Sequence, residues 1–179
     1  MRRLFAAALA AVLVSVAAVA LAVWPATGST GPSASSDGSK VLEFDTMAPV
    51  AGPFVGAANP IRGINGGGLP WQIAAAKGEL TSTGKVEVEV TGLVLLDGPP
   101  VPVNLQGTNP APAFRAVVSC LSTVDGAATT VNVATDPFPA TSTGDSKIEA
   151  DIDLPHPCIA PIVFVGPSPT TWFAATGTG

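Results

Sequence analysis

Residues Lys85-Val86-Glu87-Val88-Glu89-Val90 alternate strictly between charged and apolar. A side chain that changes face at every residue belongs to a β-strand half buried on a core. Residues 147–154 repeat the pattern, with Ile148, Ala150, Ile152 and Leu154 on one face and Lys147, Glu149, Asp151 and Asp153 on the other. Burial on one face only is the habit of antiparallel sheets, since parallel ones are covered on both sides. Thr81-Ser82-Thr83-Gly84 carries turn chemistry, so 72–80 and 85–91 are expected to form a hairpin. Further β-rich runs lie at 114–121, 129–134, 159–165 and 171–176, and Pro161 assigns the start of the third to an edge or a bulge. Residues 71–77 (WQIAAAK) fit either a helix or a strand; the prolines and Gly66-Gly67-Gly68 of 41–70 exclude a long helix there. These runs predict an all-β domain, an antiparallel β-sandwich of immunoglobulin-like size with about seven strands.

The N-terminus follows other rules. Met1-Arg2-Arg3 precedes a run from Leu4 to Trp24 in which only Ser15 is not apolar. A cationic start before a long apolar core marks a signal peptide, with small-residue cleavage sites at Ala20-Leu21-Ala22 and near Ala26. The run is also long enough to stay as an N-terminal anchor helix. Either way the rest of the chain is expected outside the cytoplasm, secreted or held by that segment, which is its one predicted contact with a membrane. The division is therefore 1–26 leader or anchor, 27–40 a Gly/Ser/Thr-rich flexible spacer, and 41–179 a single β-domain. Loss of Arg2 and Arg3 with the leader lowers Lys+Arg from 8 to 6 against 13 Asp+Glu, a net charge of −7. So acidic a chain lacks the clustered cations that displace counterions from phosphates, and no nucleic-acid partner is expected.

Cys120 and Cys158 are the only cysteines. In an oxidising compartment they are expected to pair, closing a loop of roughly 39 residues. Carboxylates at Glu149, Asp151 and Asp153 share a strand face near His156, which makes these four the candidate ligands for a divalent cation. Their spacing matches neither an EF-hand loop nor a zinc motif, and the same residues also read as a solvated strand face followed by a Pro-His-Pro turn. His156 is the only histidine and no G-x-S-x-G elbow is present, so no catalytic residue is assigned and no enzyme is expected. No cofactor is expected either. Gly66-Gly67-Gly68 leads through Leu69-Pro70 into Trp71 and a strand, whereas a phosphate-binding loop opens a helix. A glycine-built turn anchored by Trp71 is the reading, with Arg62 and Trp71 as candidate contacts to a ligand or partner. Residues 97–113, with five prolines, form a long loop expected to connect the sheets. In Asp136-Pro137-Phe138-Pro139, Phe138 is expected to enter the core.

Asn59-Pro-Ile-Arg62-Gly63, Gly66-Gly-Gly-Leu-Pro-Trp71, Phe114-Arg115-Ala-Val-Val-Ser-Cys120, Asp136-Pro-Phe-Pro-Ala-Thr141 and Pro157-Cys-Ile-Ala-Pro-Ile-Val-Phe164 resemble segments of exported bacterial proteins of unassigned function. The resemblance spans roughly 41–176 and implies a recurrent domain architecture without implying a substrate. The expected role is a non-catalytic extracytoplasmic β-domain that binds an extracellular or envelope partner. An exported enzyme or cation-binding protein using the acidic 149–156 face is the alternative.

Overall fold

The structure is a computed structural model that describes residues 38–176. The leader, the anchor helix and most of the spacer lie outside the described residues. Within them the fold is almost entirely β, with one 3-10 turn at Gly52–Phe54 and no α-helix. Among the described residues no helix is long and apolar enough to cross a membrane.

The chain runs through β1 (Lys40–Phe44), β2 (Met47–Pro49), β3 (Asn65–Gly66), β4 (Trp71–Gln72), β5 (Ala75–Thr81), β6 (Lys85–Thr91), β7 (Val94–Leu95), β8 (Ala113–Val124), β9 (Ala127–Ala134), β10 (Phe138–Pro139), β11 (Ser146–Asp151), β12 (Ile159–Gly166), β13 (Thr171–Trp172) and β14 (Ala174–Thr176). One sheet has the order β1-β5-β6-β11. The other runs β10-β8-β12-β14-β2, with β9 paired to β8. All pairings in both are antiparallel; the short β13–β3 pair is parallel.

The expected hairpin forms between β5 and β6, with Leu80 opposite Val86. The 71–77 patch is strand at both ends and is split, because Trp71–Gln72 pairs with β7 while Ala75 onward pairs with β6. The alternation of β6 and β11 sets the sheet's two faces. Val86, Val88, Val90 and Ile148 are buried, and the charged residues between them point outward. All four lysines and all five glutamates of the chain lie on β1, β5, β6 and β11.

The second sheet is built differently. In β8, Ala116 to Cys120 are all buried, and in β12 Val163, Phe164 and Val165 are fully buried in succession. Since neighbours on a strand face opposite sides, this sheet is covered on both. Trp172, 6.0 Å from Phe164 and 6.4 Å from Phe54 between ring centres, joins β12 to the 50–56 segment. That segment is tied to the glycine run by Gly56 N–H to Gly67 O and Gly66 N–H to Gly56 O. A side chain at Gly66 would lie 1.8 Å from the Phe54 carbonyl, so glycine is required there by close approach. The inward residues of both sheets, with Trp71 and Phe173, belong to one core.

Candidate functional site

The sheets join at one end of their edges and part at the other. Near the start of β11, Ser146 Oγ donates to Pro139 O of β10 at 2.9 Å. Phe138, expected to enter the core, stands opposite Phe114 in the ladder and is half-buried against the core's edge. Farther along, β9 and the end of β11 flank an open groove of about 570 Å³. Val133, Phe138, Ala150 and Ile152 give it apolar walls, and Asp136, Glu149, Asp151 and Asp153 give it an acidic rim. Asp136, Asp151 and Asp153 form no ion pair with a described residue, whereas Glu149 is held by Lys147 at 2.5 Å. The recess brings apolar and charged side chains of both sheets together.

The charged sheet face next to the groove neutralises itself through pairs with lysine. Glu43, Glu79, Glu87 and Glu149 stand directly opposite one another across four strands. Like charges so placed repel. Each has a lysine: Lys40 reaches Glu43 at 3.0 Å and Glu79 at 2.8 Å, and Lys85 reaches Glu87 at 2.8 Å. The hydrogen bond and charge of Lys85, then the fields of Lys147 and Lys40, hold the Glu87 carboxyl below its usual range. Glu149 in turn raises the Lys147 ammonium. These pairs are exposed and contribute little singly.

The four candidate cation ligands do not gather. Glu149, Asp151 and Asp153 follow one another along the groove rim, and His156 is exposed in the turn before β12. Among the described residues no three His, Cys, Asp or Glu side chains come together as a metal site.

Cys120 and Cys158 are disulfide-bonded, with Cα atoms 4.9 Å apart, joining β8 to the chain entering β12. A disulfide is consistent with a non-reducing, extracytoplasmic environment. Pro161 sits where β12 slips register between Ile159 and Ile162, with Ala160 at φ +46°: the bulge the sequence anticipates. The slip leaves carbonyls without ladder partners, and Arg62 supplies the donors. Its Nη1 donates to Ser119 O at 2.7 Å and its Nη2 to Ala160 O at 2.8 Å. Asn132 Nδ2 donates back to Arg62 O at 3.0 Å. Arg62 is thus committed to the sheet. Trp71 is buried, stacked on Phe173 with ring centres 3.6 Å apart. Between β7 and β8, the 97–113 loop is packed: Val101 is buried, and Asn109 Nδ2 binds Ala111 O and Thr141 O.

Sequence reading placed the β11 half of the groove and missed the β9 half. A signal for it exists: Gly126 to Thr135 holds no charged residue and no proline, and is bracketed by Asp125 and Asp136.

No protein family, no curated protein and no solved structure matches the chain.

Proposed function

We propose that this chain is an exported, non-catalytic β-sandwich of immunoglobulin-like size that serves outside the cytoplasm as a binding or envelope-associated module. The groove between β9 and β11 is the observation that carries the reading. It couples apolar wall to Asp136, Asp151 and Asp153, carboxylates without an ion pair among the described residues, the combination by which a recess selects a partner instead of merely facing water. The cationic, apolar leader and the disulfide support export. With Arg62 and Trp71 engaged in the fold, the groove is where a partner's groups find free ones.

The test uses the full chain produced in cells that export it, with a photoreactive residue at Asp136 or, separately, at Lys77 on the self-neutralised face. The expected result is extracytoplasmic protein without alkylatable thiols, and adducts from position 136 that position 77 does not give. Cytoplasmic protein with free thiols, or equal adducts from the two positions, overturns the proposal.

A further inference from the structure

Among the described residues, four of the five edge strands of the two large sheets are blunted against further pairing. β1 carries Lys40, Glu43 and a register slip; β11 alternates Lys147, Glu149 and Asp151. β2 has three residues and ends in Pro49, and β10 has two and ends in Pro139. Short, charged, bulged or proline-ended edges are how sheets avoid adding strands. β9 has none of these devices. It is eight residues long, Ala127-Ala-Thr-Thr-Val-Asn-Val-Ala134, uncharged, and paired only to β8 among the described residues.

The ladder identifies which backbone groups are free. Thr135 N–H donates to Ala116 O at 2.9 Å, in step with the β8–β9 register. In an antiparallel pair, hydrogen-bonded positions alternate. Thr129, Val131 and Val133 therefore turn their backbone groups to β8. Ala128, Thr130, Asn132 and Ala134 direct theirs outward. Beside this edge, Leu121 and Ile159, 42% and 55% exposed, continue the row that contains Thr130.

We propose that β9 accepts an extended polypeptide segment as an added strand, with basic side chains alternating with small or β-branched ones. The inference rests on the binding-module reading and gives it a partner chemistry. Main-chain hydrogen bonds to Ala128, Thr130, Asn132 and Ala134 supply attachment, as in other strand additions. One face of the added strand lies beside Val133 and the groove, where Asp136, Asp151 and Asp153 call for lysine or arginine. The other face continues the Leu121–Thr130 row, which suits small or β-branched groups. Charge decides against a second copy of this chain as the occupant. Two antiparallel β9 strands would set Asp125 of each copy beside Asp136 of the other, in a protein already acidic overall.

The test measures binding of a labelled peptide of about ten residues, alternating lysine and threonine, to the exported protein by fluorescence anisotropy. Expected is saturable binding that slows amide exchange at Thr130 and Asn132, and that is lost when glutamate replaces lysine. Full N-methylation of the peptide, which removes its donors, is expected to weaken binding about tenfold or more, since a tenfold change needs the loss of only one or two hydrogen bonds. Thr130→Pro removes an outward donor without touching the β8 ladder, and is expected to weaken binding similarly with an unchanged melting temperature. Equal binding of the N-methylated peptide overturns strand addition while leaving the groove as a charged docking site. Absence of binding at about 1 mM peptide overturns it too. So does exchange protection of Thr130 that rises with protein concentration alone, which would make a second copy the occupant.

Discussion

Arg62 lends itself to a quantitative test because its two hydrogen bonds end in different surroundings. The Ser119 carbonyl belongs to a residue with no exposed surface, so water cannot replace a lost donor. Ala160 is exposed, and its carbonyl regains water at little cost. Arg62→Met keeps the aliphatic stem and removes both donors. Losing a charged donor to a buried carbonyl costs about 1.5–3 kcal/mol, and the Ala160 bond adds a few tenths. The expected destabilisation is therefore about 2–3 kcal/mol. With an unfolding entropy near 2.1 cal/mol/K per residue over roughly 140 residues, that lowers the melting temperature by about 7–10 °C. Thermal and urea unfolding followed by circular dichroism, with the disulfide intact, measure it. Arg62→Lys retains one donor and should fall between the two. A variant within about 0.5 kcal/mol of the parent would mean that the guanidinium is a bystander and that the bulge satisfies itself.

Three further outcomes follow from the fold. Replacing both Cys120 and Cys158 by alanine opens a loop with a sequence separation of 38 and is expected to cost about 4 kcal/mol on chain entropy; urea unfolding of the double variant checks this, and a loss below about 1 kcal/mol contradicts it. The disulfide and the Arg62 clamp brace the same slip in β12, so combining Arg62→Met with the cysteine replacements should be non-additive in a double-mutant cycle. Asp145 accepts from Gly92 N–H at 2.9 Å and from Thr143 and Thr141, which hold its carboxyl below its ordinary value of 3.8. Because the folded value is the lower one, this stabilisation is present above about pH 4 and is lost as pH falls through the folded value. Unfolding measured from pH 6 to 2 should show a shallower acid decline for Asp145→Asn; an unchanged slope would assign the decline to other carboxylates.

Local pattern carried far in the charged sheet. Lys85 to Val90 and Lys147 to Ala150 specify which side chains face inward with no knowledge of the partner strand, because alternation is a property of each strand by itself. The β5–β6 hairpin, the bulge at Pro161 and the pairing of the two cysteines were legible for similar reasons: turn chemistry, a missing N–H, and two thiols expected in an oxidising compartment. The continuous apolar runs of β8 and β12 were read as strands, but burial on the second face of β12 depends on Trp172, which packs on Phe164 and on Phe54 from more than 100 residues earlier in the chain. Arg62 was read as a candidate contact to a ligand or partner because its use depends on a register slip about 100 residues away, and no local rule assigns a donor to a carbonyl so remote. The groove needed the chain folded as well. Its acids on β11 were visible as a strand face, while Asp136 and Val133 join them only because two edges of different sheets diverge past Ser146. Residue-by-residue chemistry determined the strands and their inner faces; which edge stays open, and what stands beside it, was decided by packing, since an edge is defined by the absence of a neighbour and neighbours are set by the tertiary fold.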